Sequence, residues 1–473
     1  MIPGLKKKKD FSKGNNLIIL GNGIKDFSIV DLTKEEDLYV KKLLKNDERH
    51  IILNRFSHCI IFVVIKKKTT LEDLRDTGYK IYKYVSKHRY ESIDMQCKKE
   101  YGIEALSLIE GITLSSYKFK KYQETDKKET YQLKKIHFIN KTITQAQLNE
   151  LSNLLEGVFL TRDLVNEPPN VLNATALSKS ITKYAKETGY KATVLQKKQI
   201  ESLKMGGLLA VNKGSFDPPT FSILEWKPEK AKNNKPYVIV GKGIVYDTGG
   251  LSLKSTLNSM DLMKSDMAGA AAVAGLFYAL AKNKMPVHVI GLIPATDNRP
   301  SGNAYAPGDI ITMYNRLNVE VTNSDAEGRM ILADALSYGD QYNPLLTISI
   351  ATLTGAASNM LGELGIVGMG NMNKKLMHKM VECGEKVHER VVELPFWDDY
   401  KAMIKSDIAN LKNSGGKGAG AITAGKFLEH FTKSPFLHLD IAGPAFTTTT
   451  RSYRGKGGTG LGVRLLYEFL NSL

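Results

Sequence analysis

The sequence predicts an α/β protein of two domains, a smaller N-terminal one and a larger C-terminal one with a central mixed sheet flanked by helices. Three observations support this fold class. The chain of 473 residues is longer than one hydrophobic core normally organises. From Ala174 onward, helical and strand patterns alternate at intervals typical of α/β layering. Before that point, the first 143 residues also mix short apolar runs with helical patterns.

The N-terminal domain is predicted to span residues 1–143. Its strand candidates are Asn16–Leu20, His50–Leu53 and Ile60–Ile65. Leu71–His88 carries apolar residues at helical spacing, which predicts an amphipathic helix. Tyr117–Lys135, rich in Lys, Thr and Tyr, is typical of an exposed strand or loop pair. None of these residues has a spacing that indicates catalysis.

Residues 144–169 are predicted to connect the two domains through a helix. Thr144 and Gln147 have the spacing of a capping box, in which each side chain bonds the backbone N–H of the other residue. Apolar residues then recur at helical spacing as far as Phe159. The helix must end before Pro168 and Pro169, because proline lacks the N–H and clashes with the preceding turn.

The larger domain, residues 170–473, contains candidates for central strands and for a buried helix. The strand candidates are Tyr237–Val240, Val287–Leu292 and Thr347–Ala351. Ala268–Ala281 is apolar on nearly all sides, which predicts a helix packed in the core rather than a cofactor-binding segment. A further helix is predicted over Ile331–Tyr338, just after an acidic motif.

The net charge of +17 is concentrated near the N-terminus, where the first 150 residues hold 30 Lys and Arg against 20 Asp and Glu. A basic domain can bind nucleic acid through the phosphates. Here the lysines are scattered, with no interleaved aromatic residues and no helix-turn-helix spacing. We interpret the charge as compositional and expect no nucleic-acid partner.

The composition indicates a cytoplasmic protein. Cys59, Cys97 and Cys383 lie too far apart to suggest a disulfide framework or a CxxC metal site. The lysines near the N-terminus are not followed by the apolar segment of a secretory signal. Met267–Ala281, the longest stretch free of strongly polar residues, is shorter than the roughly 20 residues of a membrane span. We therefore expect no membrane partner.

Charged residues between positions 242 and 329 form the candidate functional site. They are five acids and two lysines among glycines: Asp247, Asp261, Asp266, Asp325, Glu327, Lys242 and Lys254. Clustered carboxylates repel one another, and divalent cations compensate their charge. In a two-metal site the ions lie about 3.5–4 Å apart, so a carboxylate usually bridges them. The set therefore predicts two divalent cations.

The positions of the acids in the predicted elements favour this interpretation. Asp247 follows the strand candidate Tyr237–Val240, at the edge where α/β sheets place their sites. Asp325 and Glu327 are two residues apart, so in an extended segment both would point to one side. Asp261 has no evident partner and is assigned to solvent or to a helix cap. The glycines around Lys242 lack the Walker pattern, which argues against a phosphate loop.

Five blocks of the sequence together resemble the leucyl aminopeptidase family (peptidase family M17). They are VGKGIVYDTGGLSLK at 240–254, MDLMKSDMAGAA at 260–271, NSDAEGRMILADAL at 323–336, ATLTGA at 351–356 and HLDIAGPA at 438–445. The blocks occur in the family's order, and the resemblance as a whole covers roughly residues 160–473 but hardly the first 150. The resemblance implies a metallopeptidase domain that removes N-terminal, preferably leucine-like, residues from peptides by means of a metal-bridging water.

The resemblance also implies a role for each residue of the motifs. The metal ligands would be Lys242, Asp247, Asp266, Asp325 and Glu327, and the set suits two ions of Zn²⁺, Mn²⁺ or Mg²⁺. Lys254 would stabilise the oxyanion, and Arg329 would hold a bicarbonate that relays a proton. The pocket for the first side chain of the substrate would be lined by Met263, Asn323, Thr352, Leu353, Gly355 and Ala442.

The family implies a homohexamer whose active sites face an interior cavity that admits short peptides. Two alternatives stay open at this point. A cysteinyl-glycine-type dipeptidase would share the same centre, and a DNA-binding regulatory relative would account for the basic charge. His438, in the last block, is interpreted as a structural histidine rather than a metal ligand.

Overall fold

The computed structural model describes residues 2–11, 14–124, 131–139, 143–450 and 452–473. The chain divides into two compact units, Met1–Glu156 with Thr450–Gly455 and Gly157–Thr449 with Lys456–Leu473. Both units combine sheets with helices, so the predicted α/β class is confirmed. The division falls inside the predicted connecting segment 144–169.

A mostly parallel sheet organises the first unit. Its strands are β1 (Gly4–Lys7), β2 (Leu17–Gly21), β3 (His50–Asn54), β4 (Cys59–Val64), β5 (Ser92–Cys97) and β6 (Lys135–Ile139). Among the described residues they lie in the order β1-β6-β5-β2-β4-β3, and β3 is antiparallel to its neighbour. The three strands predicted here correspond to β2, β3 and β4, with ends that differ by one residue.

Helices cover this sheet on both faces, and an apolar cluster lies under each layer. They are α1 (Ile24–Phe27), α2 (Lys34–Lys45), α3 (Leu71–Lys87) and α4 (Gly102–Ser115). The helix predicted over Leu71–His88 is α3. In Tyr117–Lys135, the described residues before β6 form turns and loops, and residues 125–130 lie outside the described part.

Helix α5 (Gln145–Asn166) occupies the predicted connecting segment. The backbone N–H of Thr144 donates to Gln147 Oε1 at 2.9 Å, and the backbone N–H of Gln147 donates to Thr144 Oγ1 at 3.2 Å. The predicted capping box is therefore present. The helix ends two residues before Pro168, as the two prolines require.

The second unit is built around a mixed sheet. The strands of this unit are β7 (Lys191–Gln196), β8 (Thr220–Trp226), β9 (Tyr237–Gly241), β10 (Gly243–Asp247), β11 (Val289–Asn298), β12 (Ile310–Thr312), β13 (Asn318–Glu320), β14 (Leu346–Ala351), β15 (Ile366–Gly370), β16 (Val391–Glu393), β17 (Leu411–Lys412), β18 (Phe436–Asp440), β19 (Phe446–Thr447) and β20 (Gly457–Gly458). In the described part of the chain the large sheet has the order β16-β15-β18-β14-β9-β11-β8-β7, with β10 beside β11.

Helices flank the large sheet. They are α6 (Ala174–Thr188), α7 (Lys197–Leu203), α8 (Gly206–Asn212), α9 (Ala268–Lys282), α10 (Glu327–Gly339), α11 (Gly355–Leu361), α12 (Lys374–Val387), α13 (Gly420–Glu429) and α14 (Val463–Asn471). Every residue of α9 from Ala268 to Ala281 is buried, as its all-round apolar pattern predicts. Over the described ranges, no helix is both long enough and apolar enough to cross a membrane.

The start of α10 corrects one expectation. The helix begins at Glu327 rather than after the acidic motif, and Asp325 lies in the turn before it. The segment between Asp325 and Glu327 is therefore not extended. The two side chains nevertheless reach the same place, because a turn leads directly into the first residue of the helix.

The register of the large sheet brings distant residues to one edge. Strands β10 and β11, β9 and β11, β14 and β9, and β14 and β18 all pair in parallel. Five chain segments therefore leave the sheet on the same side. The residues at or just after these strand ends are Lys242, Asp247, Asn298, Thr352 and Asp440. Parallel α/β sheets usually place their sites at this carboxyl edge.

Candidate metal centre

Four carboxylates converge at the carboxyl edge of the large sheet. Asp247, Asp325 and Glu327 each offer one oxygen, and these three oxygens lie within 4.8 Å of one another. Asp266 joins them through Lys242, which contacts both Asp266 and Glu327. Asp325 is half-buried and the other three are buried. The structure thus brings together the four acids that the sequence analysis assigned to metal binding.

Lys242 lies in the middle of this cluster. Its Nζ is 2.8 Å from each oxygen of Asp266 and 2.8 Å from Glu327 Oε1, and it donates to the Thr352 carbonyl at 3.0 Å. Burial alone would lower the pKa of Lys242, but Asp266, Glu327 and Asp247 outweigh burial and raise this pKa above its ordinary value. Lys242 is held as an ammonium group by its carboxylate neighbours.

Lys242 can reach the carboxylates only because residue 328 of the acidic motif is a glycine. A Cβ atom on Gly328 would lie 2.3 Å from Lys242 Cε and 2.6 Å from its Nζ. Both distances are far shorter than a van der Waals contact. A side chain at position 328 would therefore push the lysine out of the cluster.

Lys254 spans the opposite side of the cluster. Its Nζ lies 3.0 Å from Asp247 Oδ2 and also pairs with Asp325 Oδ1. The loop that carries Lys254 turns sharply at Gly249 and Gly250, whose φ angles are 85° and 63°, in the left-handed region that glycine adopts without strain. Burial opposes the charge of Lys254, but the carboxylates prevail and raise its pKa.

Burial has the largest effect on two of the acids and raises the pKa of both Asp266 and Asp325. Lys242 opposes this shift at Asp266, and Lys254 opposes it at Asp325, whereas Glu327 adds to the shift at both. The ionised cluster is therefore electrostatically unfavourable as it stands. A cation that enters the cluster is attracted by all of these carboxylates at once.

Arg329 lies one half-turn beyond Glu327 on α10 and is also buried. Its Nη1 donates to the carbonyl of Asn413 at 2.7 Å. Its Nε is buried and has no hydrogen-bond partner among the described residues. Burial lowers the pKa of Arg329 to about 10, against the opposing charges of Glu327 and Asp440, so the guanidinium stays charged at neutral pH.

Several residues that the sequence analysis did not single out hold the cluster in place. Asn298 donates through Nδ2 to Asp247 Oδ1 at 2.8 Å and to the Ser324 carbonyl at 3.0 Å. The Tyr305 hydroxyl donates to the same carbonyl at 2.7 Å, and Ser324 Oγ donates to the Gly249 carbonyl at 2.7 Å. The sequence did carry one signal for Asn298. Extending the predicted strand Val287–Leu292 as far as Asn298 would have placed this residue at the carboxyl edge of the sheet.

The residues expected to line the substrate pocket fall into two groups. Thr352 Oγ1 donates to Asp266 Oδ1 at 2.8 Å, so its side chain is attached to the carboxylate cluster. Met263 is half-buried in the short 3-10 helix Met260–Ser265 that leads to Asp266, whose N–H donates to the Met263 carbonyl at 3.2 Å. The Asn323 side chain accepts from the backbone N–H of Asp325 at 2.8 Å. These three contact the segments that carry the acids.

Leu353 and Ala442 are joined through Asp440. The backbone N–H groups of both residues donate to Asp440 Oδ1 at 3.1 Å, and Leu353 also packs against the main apolar core. Gly355, the exposed first residue of α11, has no described contact with the carboxylates. Asp440 was not assigned from the sequence, although it lies in a motif block.

Two residues behave as the sequence analysis interpreted them. His438 is fully buried, and its Nδ1 lies 2.8 Å from Ser349 Oγ, away from the carboxylate cluster. Burial and the nearby Arg329 lower its pKa to about 3. Asp261 is exposed and accepts from the backbone N–H of Ser259 at 2.9 Å.

Sequence comparison decides the family of this chain. The profile of the cytosol aminopeptidase family, catalytic domain, matches residues 159–467. The chain belongs to the cytosol aminopeptidase family. Membership makes it a peptidase of the aminopeptidase type.

Two relatives and two solved structures show how far the likeness to this family extends. A probable cytosol aminopeptidase of Chlorobium phaeobacteroides is 45% identical over 397 residues, which cover 81% of this chain and 78% of the relative. One from Chloroherpeton thalassium is 50% identical over 316 residues, covering 66% and 61%. The bottromycin maturation enzyme BotP in complex with Mn has a TM-score of 0.84 at 26% identity, covering 97% of this chain and 99% of the enzyme. A mutant of tomato leucine aminopeptidase has a TM-score of 0.85 at 25% identity, covering 100% and 97%.

Proposed function

We propose that this member of the cytosol aminopeptidase family is a two-metal enzyme that removes N-terminal residues, preferably leucine-like ones, from short peptides. The observation that carries the proposal is the convergence of Asp247, Asp266, Asp325 and Glu327 around two lysines at the carboxyl edge of a parallel sheet. A purely structural ion-pair network gains little from such a largely buried group of like charges.

The residues present fit a pair of divalent cations. Four carboxylates share two ammonium groups, so the ionised cluster carries an excess of two negative charges. Charge burial of this kind is costly unless it is compensated. Carboxylate oxygens suit Mg²⁺ and Mn²⁺, and Zn²⁺ also accepts a nitrogen ligand such as a neutral lysine amine. The BotP structure was solved with Mn, which supports the same class of ion here.

Asp247, Asp325 and Glu327 would hold the ions together with Asp266 and Lys242. When bound, the two cations would polarise the scissile carbonyl and make a water acidic enough to serve as the nucleophile. The role proposed for each side chain takes its burial into account. Asp247 and Glu327 would contact both ions, whereas Lys242 and Asp266 would serve the buried side and Asp325 the more open side.

Lys254 is the candidate for stabilising the negative charge that develops on the substrate carbonyl oxygen. It is the less buried of the two lysines, with 16% of its side chain exposed against 3% for Lys242. Its pKa is raised, so it stays cationic at neutral pH. A fixed positive charge acts strongly in a site from which water is largely excluded.

Arg329 is the candidate for holding a bicarbonate. Its buried Nε lacks a hydrogen-bond partner among the described residues, and a donor of this kind is satisfied by an oxyanion. Bound there, bicarbonate would accept a proton from the nucleophilic water and pass it on. The Asn413 carbonyl fixes the other arm of the guanidinium and so sets the direction in which Nε points.

The substrate's first side chain would be bound by Met263, Asn323, Thr352, Leu353, Gly355 and Ala442. Their mostly apolar or small character suits leucine-like or methionine residues. The hydrogen bonds from Leu353 and Ala442 to Asp440 support a shared, rigid wall. We further propose a cytoplasmic homohexamer on the basis of the family resemblance. Light scattering on the purified protein tests the hexameric state.

The deciding experiment is an assay of the metal-reconstituted protein against a panel of aminoacyl-amides and dipeptides. We expect Mn²⁺- or Zn²⁺-dependent hydrolysis that is fastest for leucyl and methionyl substrates. Hydrolysis confined to cysteinyl-glycine would instead establish the dipeptidase alternative. Hydrolysis that is equally fast without divalent metal would refute the two-metal mechanism.

A further inference from the structure

We propose that Asn413 is a positioning residue for the metal centre, acting through the backbone of the acidic loop. This inference rests on the proposed metal-dependent function. Asn413 is fully buried directly after β17, about 90 residues beyond that loop. It carries no charge, and its side chain touches none of the four carboxylates in the structure.

The Asn413 side chain clamps two consecutive residues of the loop. Its Oδ1 accepts from the backbone N–H of Thr322 at 2.8 Å, from that of Asn323 at 3.2 Å and from Thr322 Oγ1 at 3.2 Å. Its Nδ2 donates to the Asn323 carbonyl at 2.8 Å. Both backbone polar groups of Asn323 are therefore bound by one amide, which fixes the orientation of that peptide segment.

The backbone of Asn413 bonds the chain on both sides of Asn323. Its N–H donates to the Glu320 carbonyl at 2.9 Å, and its carbonyl accepts from Arg329 Nη1 at 2.7 Å. One residue thus contacts the chain before the acidic motif, at Glu320, and both ends of the motif, at Asn323 and Arg329. Asp325 and Glu327 lie between the clamped points Asn323 and Arg329.

This placement bears on the metal ligands because Asn323 is bonded directly to one of them, in addition to the bonds that hold the next residue, Ser324. Asn323 Oδ1 accepts from the backbone N–H of Asp325 at 2.8 Å, so a displacement of Asn323 would be transmitted to Asp325. Outer residues that orient metal ligands typically contribute about 10–100-fold to metal affinity or activity. We therefore expect Asn413 to act on metal binding rather than on the fold alone.

The test compares Asn413→Ala with Asn410→Ala in the full-length protein. Asn410 Oδ1 accepts from the backbone N–H of Asn318 at 2.8 Å, so it makes the same kind of bond between the neighbouring segments, on an exposed surface. We expect Asn413→Ala to bind Mn²⁺ about 10–100-fold more weakly by calorimetry and to lose kcat with little change in KM. Asn410→Ala should match the wild type. Equal Mn²⁺ affinity for both variants and the wild type would overturn the inference.

A second variant, Asn413→Asp, separates positioning from folding. The introduced carboxylate keeps the accepted hydrogen bonds but places an oxygen against the Asn323 carbonyl. Its added negative charge would strengthen cation binding if charge alone mattered, whereas displacement of the loop weakens it. We expect Asn413→Asp to bind Mn²⁺ more weakly than the wild type at pH 8. The difference in Mn²⁺ affinity should shrink at lower pH, because the protonated carboxyl of residue 413 can again donate to the Asn323 carbonyl.

The outcomes of this second variant are decisive even if Asn413→Ala fails to fold. Wild-type or tighter Mn²⁺ binding by Asn413→Asp at pH 8 contradicts the positioning role. Failure of both variants to fold, judged by circular dichroism, makes Asn413 a determinant of the fold and also overturns the inference. Absence of Mn²⁺ binding by the wild type would instead refute the proposed function.

Discussion

An amine coordinates a cation only through its lone pair, so Lys242 would have to lose a proton to serve as the proposed metal ligand. In the structure, three carboxylates hold this lysine as an ammonium group and raise its pKa above the ordinary value. A metal ion that binds through this amine would therefore displace that proton. Binding at the buried side of the cluster should release a proton and strengthen as the pH rises.

Lys242→Arg tests this requirement, because a guanidinium keeps the positive charge but stays protonated. We expect Lys242→Arg to lose metal from the buried site about as completely as Lys242→Ala. Calorimetric titration in two buffers of different ionisation enthalpy measures both the affinity and the number of protons released. Two tightly bound ions and full activity in Lys242→Arg would show that the lysine is an ordinary counterion.

The residues of the site were predictable to the extent that they carry charge or lie in a recognisable motif. The four carboxylates and two lysines meet in the structure, and their proposed roles stay predictions. Asn298 and Asn413 were not predicted, because a neutral amide gives no charge signal. Their partners are also largely backbone atoms in distant segments, as with Asn413 and Thr322, and no local pattern relates such positions.

At the scale of elements, periodicity predicted what packs in the core and missed what lies at the site. Helix α9 was predictable because it is apolar and buried throughout. The first turn of α10 consists of buried Glu327, Gly328 and Arg329, which no apolar pattern includes. The pattern therefore placed the start at Ile331. Polar residues in a buried helical turn are typical of a functional site. Because they interrupt the apolar pattern, that pattern does not show where the helix begins.

The contact between α5 and α9 depends on glycine at two facing positions. A Cβ atom on Gly275 would lie 2.1 Å from Thr161 Oγ1 and 2.4 Å from the Gly157 carbonyl. We expect Gly275→Ala to destabilise the second unit by about 1–3 kcal/mol through overpacking, despite the better helix propensity of alanine. The measurement is the shift of the urea unfolding midpoint.

Gly302→Ala is the matched control, because a Cβ atom at position 302 would meet no described neighbour within 4 Å. A surface change of this kind should stay within about 0.5 kcal/mol of the wild type. If Gly275→Ala unfolds at the same urea concentration as this control, the two helices can separate without cost. The close approach would then be unimportant for stability.

At the scale of the whole molecule, metal removal should proceed in stages. Asp325 is the least buried of the four acids, whereas Asp266 and Lys242 are enclosed. The ion on the open side should exchange first, so brief chelation should lower activity and added Mn²⁺ or Zn²⁺ should restore it. Saturating metal should also raise the melting temperature, because ligand at 100 times its Kd stabilises the bound state by about 2.7 kcal/mol. Full activity after exhaustive chelation would contradict the two-metal mechanism, and an unchanged melting temperature at saturating metal would contradict binding to the folded protein.

The basic charge of the chain leads to the last prediction. In the first unit, several basic side chains already pair with acids, as Lys8 does with Asp94, Arg55 with Glu36 and Lys98 with Asp26. Such pairs leave fewer charges for phosphates. Each phosphate neutralised contributes about −0.9 to the slope of log affinity against log salt. We therefore expect weak, sequence-independent association with DNA that vanishes near about 0.15 M salt, a typical ionic strength. Fluorescence anisotropy with two unrelated duplexes across a salt series measures this, and a sequence-specific complex that survives at that salt would favour the regulatory alternative.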